Sequence, residues 1–140
     1  MKKVFLSILA TMMLMCGGLL IACGNPSDSS IDKAMRDAAN EINAQCPIVV
    51  DSETRLDNCV ALSGKIFQYH YTLVNISKDQ LTDSQIESIK EEVRPVMLNS
   101  IKSSSDLKQL RDYEITFKYV YSSKDGYELL SMTFTPQDYK

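Results

Sequence analysis

Tyr113, Ile115, Phe117, Tyr119 and Tyr121 occupy every second position near the C-terminal end of the chain. Side chains two residues apart share a side only in an extended backbone, so this run specifies a strand with one apolar face that must be buried. Lys124-Asp125-Gly126 follows, with glycine where a tight turn needs positive φ, and Tyr127 to Phe134 returns as the partner strand. A second alternating set, Phe67, Tyr69, Tyr71 and Leu73, lies within residues 66–76; residues 54–62 and the turn Ser63-Gly64-Lys65 precede it, making another hairpin. Ile48-Val49-Val50 is a shorter β-prone run upstream.

Two helical periods separate these strands. Ser29 or Ser30 can cap a helix with a stripe at Ile31, Met35, Ala38 and Ile42, and Pro47, which biases Cys46 out of helical geometry, should end it near Gln45. Thr82-Asp83-Ser84-Gln85 reads as a capping box, with Leu81 placed to staple onto Ile86, and the stripe continues through Ile89, Val93, Met97 and Ile101. Pro95 falls inside that helix and should kink it, at a cost of about 3 kcal/mol unless packing compensates. Residues 106–111 add a short helical turn. The order helix, hairpin, helix, hairpin predicts an α+β two-layer sandwich: an antiparallel sheet of about four strands with both helices on one face.

The N-terminus, MKKVFLSILATMMLMCGGLLIACGN, has a basic start at Lys2 and Lys3 and then a largely apolar run, the form of a secretory signal peptide. Leu20-Ile21-Ala22-Cys23 resembles the lipobox of bacterial lipoproteins. That resemblance implies removal of residues 1–22, acylation of Cys23 by chains such as palmitate, and a place in the bacterial cell envelope. Gly24 after the cysteine implies, in a Gram-negative host, the outer membrane rather than the inner. Acyl chains contribute about 0.8 kcal/mol per buried CH₂, so two or three of them hold a small domain at a membrane. Residues 23–30 then read as a flexible tether, and residues 31–140 as one α+β domain.

The chain carries 15 basic and 18 acidic side chains, net −3; without Lys2 and Lys3, 13 basic side chains face the same 18, net −5. A mildly acidic domain has no electrostatic footprint for nucleic acid. The chain has one histidine, His70, no C-x-x-C pair and no glycine-rich phosphate loop, so the reading includes no cofactor and no metal. His70 has the opposite parity to the aromatic stripe and should face solvent.

Cys46 and Cys59 remain. In an exported protein they suggest a disulfide closing a loop of about 14 residues, contributing roughly 3 kcal/mol in the chain-entropy model. Strand parity opposes it: in an unbroken strand Leu56, Val60 and Leu62 share the core face while Arg55, Asp57 and Cys59 point away, unless a bulge intervenes. The alternative is a small buried Cys46 and a partly exposed Cys59.

Cys46-Pro47-x-x-Val50-Asp51-x-x-Thr54-Arg55-Leu56-Asp57 resembles a pattern in small uncharacterised bacterial lipoproteins, a likeness that brings no activity with it. Physically, either Asp51 and Ser52 make a turn while Arg55 and Asp57 pair on the exposed face of the sheet, or Asp51, Thr54, Arg55 and Asp57 form a recognition patch for an envelope partner. The functional expectation is a lipid-anchored, non-enzymatic binding or accessory module. The alternatives are an inhibitor or immunity lipoprotein directed at a toxin or hydrolase, and a hydrolase-type enzyme built on His70.

Overall fold

Ser27 starts the first helix: its backbone is extended and its hydroxyl accepts from the N–H of Ser30. The structure is a computed structural model that describes residues 27–140, so the signal-like segment and Cys23 lie outside the described residues. Helix α1 spans Asp28–Asn43. Residues 28–30, expected in the tether, are therefore its first turn, and the cap falls at Ser27 rather than at Ser29 or Ser30. Ile31, Met35 and Ala39 form its buried stripe, with Ala38 and Ile42 half-buried beside it.

Strands β1 (Ile48–Val49), β2 (Thr54–Leu62) and β3 (Ile66–Leu73) follow, then a 3-10 turn over Lys78–Gln80. Helix α2 spans Asp83–Ser103 and opens with the capping box the sequence indicates: Thr82 accepts from the Gln85 N–H, and the Gln85 side chain accepts from the Thr82 N–H. This one helix continues through Pro95, which is exposed, so the lost backbone bond falls on the wet side of the element. Helix α3 (Lys108–Asp112), strands β4 (Thr116–Ser123) and β5 (Glu128–Phe134), and a final helical turn α4 (Pro136–Tyr139) complete the chain. Sequence periodicity did not indicate α4, which spans four residues; its capping box pairs Thr135 with Asp138.

The sheet has five strands in the order β1-β2-β3-β4-β5. Its hairpins are antiparallel as expected, but β3 and β4 pair in parallel, from Ile66 opposite Thr116 to Leu73 opposite Ser123. The sheet is therefore mixed. The reason is the connection: a helix crossing between the hairpins carries the chain back to the end where β3 began, so the next strand runs the same way.

Both long helices cover one face, α1 against β2 and α2 against β5. That face carries Phe67, Tyr69, Tyr71, Phe117, Tyr119, Tyr121 and Phe134, all buried. Tyr69 stacks on Tyr119 and Tyr71 on Tyr121, each pair with centroids 5.1 Å apart across the parallel seam. Tyr139 of α4 closes one end of the core, its hydroxyl donating to the Ile115 carbonyl at 2.7 Å.

A register shift between Leu56 and Asn58 breaks the alternation of β2. Leu56 pairs with Tyr71 and faces the core, Asn58 pairs with His70 on the other face, and Cys59 pairs with Tyr69 and returns to the core at 1 % exposure. The unbroken-strand reading is thus corrected. Cys59 lies inside, while Val60 and Leu62 are 36 % and 40 % exposed.

Candidate functional site

Placing both helices on one face leaves the opposite side of the sheet uncovered among the described residues. On β3 this side is lined by Gln68, His70 and Thr72, the residues that alternate with the buried aromatics. Beside them, Arg55 and Asp57 of β2 form the densest polar contact of the face. Arg55 Nε donates to Asp57 Oδ1 at 2.5 Å, and Thr72 Oγ1 donates to Asp57 Oδ2 at 2.5 Å. Alternation along β2 puts Asp57 on the same side as Arg55 and Thr72, and the bulge changes the parity only of the residues after it. Half exposed, the ion pair contributes about 0–1 kcal/mol to stability, but it fixes the orientation of the guanidinium.

The four residues expected to form a recognition patch are separated. Asp51 sits in the turn before β2, where its Oδ1 accepts from the Glu53 N–H at 2.7 Å. Thr54 faces the core at 1 % exposure, its hydroxyl without a hydrogen-bond partner in the structure, as is the buried Oδ2 of Asp51. Only Arg55 and Asp57 come together, and they do so with Thr72, which the linear motif could not indicate. Thr72 was nevertheless legible in outline, since its parity on β3 places it opposite Arg55 once the hairpin is registered.

His70 lies at the centre of the same face, half-buried, with Gln68 Nε2 2.5 Å from its Nε2. The ring contact is thus to an amide, whereas the carboxylate of Asp57 is engaged by Arg55 and Thr72. The ring is therefore not oriented by that carboxylate in the manner of a catalytic triad. Among the described residues, no group of three or more His, Cys, Asp or Glu side chains is placed to hold a metal ion. No helix among them is long and apolar enough to cross a membrane.

Cys46 is half-buried and Cys59 is buried, at 1 % exposure. The bulge does remove the parity objection, because Cys59 is on the core side and Cys46 packs at the margin of the same cluster. Burial, and then the charge of Asp57, push the Cys46 thiol above its ordinary pKa, which disfavours the thiolate a nucleophile would need. Next to them, the side chain of Asn43, the last residue of α1, bonds both backbone groups of Cys59. Its Oδ1 accepts from the Cys59 N–H at 2.7 Å and its Nδ2 donates to the Cys59 carbonyl at 2.8 Å.

The fold is shared with solved structures of low sequence identity. A protein of Pseudomonas aeruginosa assigned as secreted superposes with a TM-score of 0.66 at 14% identity, over 84% of this chain and 100% of that one. EpsS, the pilotin of the Vibrio vulnificus type 2 secretion system, matches with a TM-score of 0.60 at 10% identity, over 81% of this chain and 94% of its own. AspS, a type II secretion system pilotin from Vibrio cholerae, matches with a TM-score of 0.57 at 11% identity, over 79% and 94%. At these identities the likeness is one of fold. No curated protein matches the chain. A family model covers residues 29–130, from the first turn of α1 to the middle of β5, and the chain belongs to that family, described as "Domain of unknown function (DUF8479)".

Proposed function

We propose that this protein is a lipid-anchored accessory module of the bacterial cell envelope, held by an acylated Cys23, that binds another envelope protein through the uncovered face of its sheet. The observation that carries the reading is that face itself. Arg55, Asp57 and Thr72 form a fixed polar cluster there, Gln68 and His70 stand beside it, and Val60 and Leu62 are apolar and exposed within the same surface. Mixed apolar and oriented polar groups on the open face of a sheet suit recognition of a protein better than enclosure of a small molecule. The secreted protein and the two secretion-system pilotins that share the fold support an envelope role.

A photo-crosslinking amino acid at Gln68, in the native envelope, tests this against the same group at Lys102 on the exposed side of α2. A discrete adduct from position 68 that is absent from position 102 and lost on Arg55→Glu is expected. Indistinguishable adducts from the two positions would reject the sheet face as the docking surface. If globomycin, which blocks lipoprotein signal cleavage, leaves processing unchanged, the anchor itself is wrong.

A further inference from the structure

Residue Cys23 precedes Ser27 by only four residues. Fully extended, that length spans about 14 Å, so whatever lies at the start of α1 cannot stand far from the anchor. The structure places that start at one end of the sheet. Asp28 pairs with Lys65 at 3.0 Å, joining the first turn of α1 to the turn between β2 and β3. The helix has 16 residues and rises about 24 Å, whereas Cys59, gripped by Asn43 at the other end of the helix, stands about 10 Å from that turn along β2. The beginning of α1 therefore reaches to or past the end of the sheet.

The two ends of the sheet differ in charge. The connections at the α1 end, residues 63–65, 104–115 and 135–140, together with Asp28 of the first turn of α1, carry four basic and five acidic side chains. Those at the other end, residues 51–53, 74–80 and 124–128, carry five carboxylates against Lys78 and Lys124. Bacterial lipid surfaces are anionic, and within about a Debye length, near 8 Å at physiological salt, they repel the second end more strongly than the first. Leu62, 40 % exposed, sits on the less acidic end next to Ser63.

We propose that the end formed by the first turn of α1 and the β2–β3 turn lies against the phospholipid surface, so that the sheet stands upright on the bilayer with its more acidic end outermost. This rests on the reading of Cys23 as the lipid anchor. It goes beyond that reading by fixing which loops meet lipid and by setting the uncovered face perpendicular to the membrane, open to a partner alongside.

The chain has no tryptophan, so a single introduced indole reports without background. The full chain is processed in a bacterial host and reconstituted into phosphatidylethanolamine–phosphatidylglycerol vesicles with brominated acyl chains. Carrying Ser63→Trp, or Leu62→Trp as a second probe of the same end, it should lose at least half its emission, whereas Asp125→Trp at the other end should lose almost none. Equal or reversed quenching in protein that floats with the vesicles would overturn the orientation while leaving the anchor intact. Protein that does not float would overturn the anchor and the orientation with it.

Discussion

At the scale of single residues, two tyrosines separate a satisfied hydroxyl from an orphaned one. Tyr121 is 1 % exposed and its hydroxyl has no partner in the structure, whereas Tyr139 donates to the Ile115 carbonyl. Tyr121→Phe should therefore be neutral or stabilising by up to about 1 kcal/mol, and Tyr139→Phe should cost about 1 kcal/mol, both read from urea midpoints. Burial raises both phenols, Tyr139 from 10.0 to about 12 and Tyr121 further still. The folded state thus holds these protons after the unfolded chain has released them. Their contribution to stability is intact below pH 10 and is lost as the pH rises from 10 towards 12, and the loss should be shallower in Tyr121→Phe. Denaturation series across that window provide the check. Arg55→Ala, by contrast, should change stability by less than about 1 kcal/mol, since the pair it breaks is half exposed. A loss of crosslinking in that variant would then report binding and not unfolding.

At the scale of elements, the helices and hairpins were legible because each follows a single period for long enough to be read. The Thr82 capping box and the turn at Gly126, with φ of 85°, are where local chemistry placed them. What was hidden lies at the joins. The bulge in β2 leaves no compositional mark in Leu56-Asp57-Asn58, yet it inverts the parity of everything after it, moving Cys59 inward and Val60 outward. The two-residue β1 lies in the β-prone run Ile48-Val49-Val50, whereas α4 is a single capped turn, too short to display a period. For the same reason only two of the four motif residues meet. Arg55 and Asp57 precede or occupy the bulge on the open face, while adjacency in the motif suggested company for Thr54 that a strand denies it. Pro95 offers a test at this scale. Since α2 continues through it and the residue is exposed, Pro95→Ala restores a backbone bond and should raise stability by about 1–3 kcal/mol in thermal or urea unfolding.

At the scale of the whole molecule, the parallel seam between β3 and β4 is the strand pairing with the greatest separation in sequence, since the whole of α2 and α3 lies between its strands. Its formation must await loop closure across that span, so the two hairpins are expected to form before they join. Phe117→Ala, at 0 % exposure on β4, should cost about 3–5 kcal/mol and slow refolding less than it speeds unfolding, a result stopped-flow chevrons would show. The mixed topology was deducible in principle from the crossover, because a helix between two hairpins returns the chain to its starting end. The alternation of residues within the strands does not encode which strand lies beside which.

The amide of Asn43 has a consequence that follows from crowding. β1 covers β2 only at Arg55 and Leu56, and farther along that margin Asn43 occupies both hydrogen-bonding groups of Cys59, as a passing strand would. With Cys23 as the proposed anchor, molecules confined to two dimensions would meet one another side to side far more often than molecules in free solution, and an unpaired strand margin there is a template for lateral polymerisation. A single side chain at the end of a helix denies a neighbouring copy that foothold, and Asn43→Ala should show it as higher-order assemblies on vesicles at densities where the natural chain remains dispersed.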